Sequence, residues 1–314
     1  MPASAVKLGT TVVTRSTFKP AALTVAACIQ QVAQQFRAAR LHFGHGTFNA
    51  NDEAAWLVAH SCNITHETLS ACSGQTLTAA QTARVQRRMQ QRIESRQPLA
   101  YILGEAWLGD LRFVVDPRVI VPRSFIAELL RQQLAPWVQR PGQIRHALDL
   151  CTGSGCLAIL MAHAFPKANV IGSDFSAGAL QVARRNVRLH QLGQRVQLLR
   201  SDLFDQLPGS HTHGFDLIIS NPPYVSARSM ATLPAEYRHE PQMALASGSD
   251  GFDLLRRLLQ QAAHWLRPNG LLVVEVGHAR ARVERAFPQL PMTWLETSAG
   301  DDCVFLLRKE ELAR

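Results

Sequence analysis

From residue 25 onward the apolar positions recur at helical spacing: Val25, Ile29, Val32 and Phe36, then Trp56, Leu57 and His60, then Val85, Met89 and Ile93. Residues three and four apart share a helix face, so a small bundle of amphipathic helices is expected up to about residue 95. Thr78 with Gln81 three residues later offers a capping box for the last of them. The first 20 residues are polar, Thr-rich and aperiodic, and are expected to form a loosely ordered tail. From Gln97 the period shortens. Residues 105–108 and 111–115 are strand-like runs around Gly109-Asp110, the pattern of a hairpin. Pro117 and Pro122 then punctuate an extended connector, and Ser124 is placed to cap a helix over 125–137.

After Pro141-Gly142 strands and helices alternate: strand 147–150, helix 156–165, strand 169–172, helix 177–192, strands 196–199 and 215–220, helix 252–266 and strand 271–276. Such alternation builds a parallel sheet covered by helices. A short helix near 279–286 and two further strands, 293–296 and 304–307, close the chain. The short link between those strands leaves no room for a crossover helix, so they should form an antiparallel pair at the sheet edge. Residues 222–250 are too many for a simple connection, and long loops of this kind are commonly functional.

Composition narrows the class. The 314 residues are 46% hydrophobic and 18% charged, enough for a sizeable core and two domains. No run reaches the length of a membrane span, and the apolar stretch 21–29 passes into Gln30, Gln31, Gln34 and Gln35 without a cleavage site, so a cytoplasmic protein is expected. The cysteines (Cys28, Cys62, Cys72, Cys151, Cys156, Cys303) show neither a CxxC pair nor a zinc-ligand grouping, which points to reduced thiols and no metal. Charge is uneven: of the net +9, the first 143 residues carry 15 basic against 8 acidic side chains. Arg84, Arg88, Arg92 and Arg96 recur every four residues, a stripe that fits either a solvated helix face or a contact to RNA phosphate.

Two constellations carry chemistry. In Asp149-Leu150-Cys151-Thr152-Gly153-Ser154-Gly155-Cys156 a strand turns into a helix, where glycines let backbone approach a ligand and free amides aim at its polar atoms. Asp174 ends the next strand, the placement of a carboxylate that accepts from the ribose hydroxyls of an adenosine-containing cofactor. Gly153, Gly155 and Ala158 also satisfy a degenerate G-x-G-x-x-A, which keeps a nicotinamide dehydrogenase in view. Asp202, followed by Leu203 after the third strand, suits an adenine amino group or a helix cap. The second constellation is Ser220-Asn221-Pro222-Pro223-Tyr224, directly after a strand. Two prolines remove two donors and leave carbonyls free to accept from outside. Asn221 and Tyr224 frame a planar, amine-bearing group, which a dehydrogenase does not need.

Together these motifs resemble the S-adenosylmethionine-dependent methyltransferases that act on planar exocyclic or amide nitrogens. More narrowly, Gln97-Pro98-Leu99-Ala100-Tyr101-Ile102-Leu103-Gly104 and Val121-Pro122-Arg123-Ser124 resemble the protein glutamine methyltransferases related to the release-factor enzyme. Tyr237-Arg238-His239-Glu240-Pro241, Ala244-Leu245-Ala246-Ser247-Gly248 and Asp250-Gly251 are similar to their ribosomal branch, whose substrate is a glutamine of large-subunit ribosomal protein L-three. Cys151 departs from the wider pattern, in which a glycine often stands there.

The resemblance implies a Rossmann-like, seven-stranded α/β sheet with an antiparallel C-terminal pair and a small N-terminal helical domain. It divides the chain into a tail (1–20), a substrate-recognising helical bundle (21–96), a hairpin linker (97–122) and a methyltransferase domain (123–314). It implies that Asp149, Cys151, Thr152, Gly153, Ser154, Gly155, Asp174, Asp202, Leu203 and Asn221 hold S-adenosylmethionine. Asn221, Pro222 and Tyr224 would orient the acceptor amide, with Arg238, His239 and Glu240 contacting the substrate around it. Two neighbouring enzymatic readings share the geometry: a methyltransferase of nucleic-acid base amino groups, and the release-factor glutamine enzyme. A non-catalytic factor for assembling ribosomes is disfavoured by the full set of cofactor residues.

Overall fold

The computed structural model describes residues 23–209 and 214–312; the expected tail over 1–20 lies outside them. Three helices open the described chain: α1 (Val25–Ala38), α2 (Ala50–Cys62) and α3 (Ala79–Ser95). Each begins at a side chain that caps it. Thr24 and Asn49 accept from backbone amides of α1 and α2, and Thr78 forms the full capping box with Gln81. Their apolar stripes meet in one core, with Phe36, Leu57 and Val85 fully buried.

The basic stripe of α3 turns inward at Arg92, which corrects the solvated-face reading there; Arg84, Arg88 and Arg96 are only half-buried. Arg92 is 0% exposed; its Nε lies 2.7 Å from the buried Glu53 carboxylate and its Nη2 donates to the His42 carbonyl at 3.0 Å. Arg96 pairs with buried Glu236 at 2.8 Å, Arg88 donates to Ser61 Oγ, and Arg84 to the Ser61 carbonyl. Arg92, wholly spent on a buried carboxylate and a carbonyl, is closed to any phosphate.

A one-turn helix α4 (Leu99–Leu103) leads into the hairpin β1 (Glu105–Leu108) and β2 (Leu111–Val114). The next helix, α5 (Ile126–Arg131), stops six residues before the expected end. Gln133 and Leu134 take left-handed backbone, and Pro136 has no N–H to continue the ladder.

The sheet follows. Its strands are β3 (His146–Leu150), β4 (Asn169–Asp174), β5 (Val196–Arg200), β6 (Phe215–Ser220), β7 (Leu266–Glu275), β8 (Thr293–Thr297) and β9 (Gly300–Arg308). Their order is β5-β4-β3-β6-β7-β9-β8, parallel except for β9, which runs antiparallel to both β7 and the edge strand β8. β7 starts five residues earlier than the apolar run, because Leu266 pairs with Phe215 before the strand bends near Pro268-Asn269-Gly270.

Helices α6 (Cys156–Ala164), α7 (Ala177–Leu189), α9 (Asp253–Trp265) and α10 (Arg280–Ala286) cover the sheet. Side chains alternate faces along each strand. Ala147, Leu217, Ile219 and Val273 join one core with α6, while Leu148, Ile218, Leu272 and Val274 join another with α9. The long segment after β6 carries a short helix α8 (Ala227–Met230) and two 3-10 turns over 235–239 and 242–244.

Candidate active site

The carboxyl ends of β3, β4 and β6 meet where the strand order reverses, the place where open α/β sheets bind ligands. After β3 the backbone turns left-handed at Cys151, Gly153 and Gly155. At Gly155 a side chain is excluded for a second reason: its Cβ would fall 3.1 Å from that of Ala183 on α7. Asp149 is fully buried beneath this loop and accepts from Thr152 Oγ1 and from the Ala158 amide at 2.9 Å. Burial pushes its carboxyl up to about 7 against the pull of those donors. Asn186 of α7 donates to the Ser154 carbonyl at 2.9 Å and exchanges hydrogen bonds with Val114, tying the hairpin to the loop. Asp174 accepts from the amides of Gly153 and Ser176, both at 2.8 Å, while burial raises its pKa.

On the neighbouring strand, Ser220 Oγ donates to the Leu150 carbonyl at 2.8 Å, which fixes the start of Asn221-Pro222-Pro223-Tyr224 against the loop. Asn221 Nδ2 points to the Arg123 carbonyl at 3.5 Å. The Tyr224 ring packs on Gly277, whose φ of +60° and lack of side chain are both needed, since a Cβ there would sit 2.9 Å from the ring. Burial, and then the Glu275 carboxylate, push the Tyr224 hydroxyl up, so it stays a neutral phenol. Glu275 is itself pushed up to about 7 by burial while accepting from Ser124 Oγ at 2.6 Å and the Phe125 amide at 2.9 Å.

Two cavities meet at this point. The larger, about 360 Å³, is lined by Cys151, Gly153, Asp174, Phe175, Asp202 and Leu203. The smaller, about 210 Å³, is lined by Arg123, Pro222, Tyr224 and Tyr237. Asn221, Pro223, Ile120 and Ala244 border both.

Of the residues singled out for a cofactor, Asp149, Thr152, Ser154 and Gly155 stand behind the loop and shape it, while the others line the larger cavity. The Asp202 carboxylate also lies 3.1 Å from Arg257. Burial pushes the Cys151 thiol far up, with Asp174 and Asp149 adding to the shift, so a thiolate is suppressed beside the cavity.

Arg238, His239 and Glu240 line neither cavity. Arg238 is exposed, His239 Nε2 donates to the Ser95 carbonyl at 2.9 Å, and Glu240 is buried against Arg123. Arg123 and Tyr237, which stand in the motifs that carry the family resemblance, also line the smaller cavity; Ile120 and Phe175 line the cavities with no local signal in the sequence. Cysteine spacing also missed one grouping, His278, Asp302 and Cys303, whose imidazole and carboxylate pair at 3.0 Å.

Two family models match the chain: a PrmC N-terminal domain over residues 29–104 and a methyltransferase small domain over 127–237. The chain is 47% identical over 289 residues to the ribosomal protein uL3 glutamine methyltransferase of Neisseria gonorrhoeae, covering 92% of this chain and 95% of that protein. It is 48% identical to the protein of the same name from Burkholderia pseudomallei, with the same coverage. The chain belongs to the uL3 glutamine methyltransferase family.

A Francisella tularensis member is 40% identical over 93% of this chain. Membership in this family of enzymes sets aside the dehydrogenase and the non-catalytic assembly factor. Among solved structures, a methyltransferase from Pyrococcus furiosus superposes with a TM-score of 0.46 at 19% identity, covering 70% of this chain and 97% of that one. Asn221-Pro222-Pro223-Tyr224 runs between the two cavities: Asn221 and Pro223 border both, while Pro222 and Tyr224 line the smaller. No helix among the described residues is long and apolar enough to cross a membrane.

Proposed function

We propose that the chain transfers one methyl group from S-adenosylmethionine to the side-chain amide nitrogen of a glutamine in ribosomal protein uL3. The observation that carries this reading is Asn221 on the border of two cavities, with Pro222 lining the smaller, in a chain nearly half identical to enzymes of that name.

The larger cavity fits the cofactor. Its volume lies in the range of small-molecule sites. It presents a left-handed Gly153, where a Cβ would meet only the Cys151 carbonyl at 4.0 Å, and a half-buried carboxylate, Asp174, for ribose hydroxyls. Cys151, Gly153, Asp174, Asp202, Leu203 and Asn221 would contact the cofactor, with Asp149, Thr152, Ser154 and Gly155 holding the loop. When bound, S-adenosylmethionine supplies an electrophilic methyl group on a positively charged sulfur.

The chain's own task is orientation, because an amide nitrogen shares its lone pair with its carbonyl and is a poor nucleophile. Asn221 Oδ1 and the Pro222 carbonyl accept the two amide N–H groups, and Tyr224 packs on the amide plane. As positive charge grows on nitrogen, these fixed acceptors stabilise it. Once methylated, the nitrogen is cationic and strongly acidic and releases its extra proton to water; Tyr224, a neutral phenol, and Glu275, held by Ser124 and Phe125, are not assigned as bases.

Asp174→Ala should weaken S-adenosylmethionine binding by about 1.5–3 kcal/mol, since the ribose loses a charged acceptor. Calorimetry reads this directly, and unchanged affinity would remove Asp174 from the cofactor site. The function itself is tested by incubating the purified enzyme with S-adenosylmethionine and uL3, followed by peptide mass spectrometry. One methyl on one glutamine is expected. Unmodified uL3, with a newly methylated base in a parallel incubation with ribosomal RNA analysed by nucleoside mass spectrometry, would overturn the assignment in favour of the base-methylating alternative.

A further inference from the structure

Asn221 and Pro222 recognise only half of a carboxamide. Both face it with oxygen, and they satisfy its two N–H donors. The carbonyl oxygen of the same group still needs a donor, because a polar atom buried without a partner weakens binding. The Asn-Pro-Pro-Tyr motif has little to offer. Asn221 Nδ2 is directed at the Arg123 carbonyl, and the two prolines have no N–H. Tyr224 and Tyr237 line the smaller cavity, but a phenol accepts as well as donates, whereas a guanidinium only donates.

Arg123 is the cation in the smaller cavity. Its Nη1 and Nη2 donate to the two oxygens of Glu240 at 2.8 and 2.6 Å. A guanidinium carries five N–H groups, so donors remain on a side chain that is 27% exposed and lines the cavity. The group is held in one place. Its guanidinium carbon lies 5.3 Å from the centre of the Tyr237 ring, and Glu240 is buried and also accepts from the Val121 amide at 2.9 Å. Burial alone would push the Glu240 carboxyl up, but His45 and Arg123 hold it down at about 2, so the pair stays charged at neutral pH.

We infer that Arg123 donates to the carbonyl oxygen of the acceptor glutamine, and that Glu240 is the positioning residue that aims it. Two acceptors and one donor match a carboxamide in one orientation only. With the oxygen drawn to Arg123, the nitrogen is left between Pro222 and Asn221, the residue that also borders the larger cavity. The reversed orientation would set carbonyl oxygen against two oxygens and leave the guanidinium facing N–H groups. A glutamate in place of glutamine would likewise bring carboxylate oxygen against Asn221 and Pro222. Arg123 thus selects both the functional group and the atom presented for transfer, an inference that rests on the glutamine acceptor proposed above.

The test compares steady-state kinetics on recombinant uL3 for the wild type, Arg123→Lys, and the double variant Arg123→Met with Glu240→Gln. The lysine keeps a cation beside Glu240 but lacks the planar fork. The double variant leaves no unpaired charge buried, and its glutamine can still accept from Val121. For both, KM for uL3 should rise about 10- to 100-fold, while S-adenosylmethionine affinity and melting temperature stay close to wild type. Added guanidinium ion at millimolar concentration should restore part of the loss in the double variant, which a purely structural defect would not allow. Wild-type KM in both variants overturns the role of Arg123, as does a parallel loss of cofactor affinity in the lysine variant. If the wild type leaves uL3 unmethylated, the proposed function fails and this inference falls with it, an outcome distinct from the other two.

Discussion

Replacing Asn221 with alanine is expected to lower methyl transfer by about 10²- to 10³-fold, the cost of losing one preorganised acceptor at a developing charge. The fold should not change, because Asn221 stands at the end of β6 with its side chain only partly buried and a single long contact to Arg123. Cofactor affinity should move little, since the larger cavity keeps its loop, Asp174 and Asp202. The informative measurement is single-turnover transfer at saturating S-adenosylmethionine and uL3, which separates chemistry from binding. A variant with near-normal turnover would refute the acceptor geometry, whatever its KM.

The second large effect is structural and lies far from the chemistry. Arg92→Ala should cost about 3–5 kcal/mol of folding stability, the scale for breaking a buried ion pair by removing one partner. Arg92 is fully buried and stands between two carboxylates that are themselves buried, Glu53 at 2.7 Å and Glu236 at 3.6 Å. Removing it leaves both acids without their central cation and opens a cavity the size of a long side chain. Arg87→Ala, one turn away on the exposed side of the same helix, is the control and should stay within about 0.5 kcal/mol. Denaturant unfolding of the two variants reads the difference, and equal stabilities would return Arg92 to a solvated face.

That contrast shows where the sequence was legible. The four-residue spacing of Arg84, Arg88, Arg92 and Arg96 correctly places them along one side of α3, but periodicity does not say what that side meets. The partners of Arg92 are 39 and 144 positions away in sequence, so no local pattern announces them. The same holds for Arg123 and Glu240, 117 residues apart. By contrast, the turn after β3, Asp174 at the end of β4 and Asn221-Pro222 after β6 are local. Each sits at the end of an apolar run, and a parallel sheet brings the ends of adjacent strands together without further instruction. The helix over 125–137 was misread for a related reason. Its apolar spacing persists past Arg131, yet Leu134 is buried from a left-handed backbone position, so burial there was bought without a helix.

The turn over 235–239 is fastened on two sides. Glu236 reaches the His42 amide and Arg96, while Glu240, just beyond the turn, reaches Val121 and Arg123. Tyr237, between those two anchors, forms part of the acceptor wall. The helical segment therefore supplies counter-charges on which the shape of that wall depends, and excising it would remove the His42, Arg92 and Arg96 partners of Glu236. Although two family models divide the chain, the catalytic portion is not a detachable module: evolution could exchange the helical segment only together with the turn it grips.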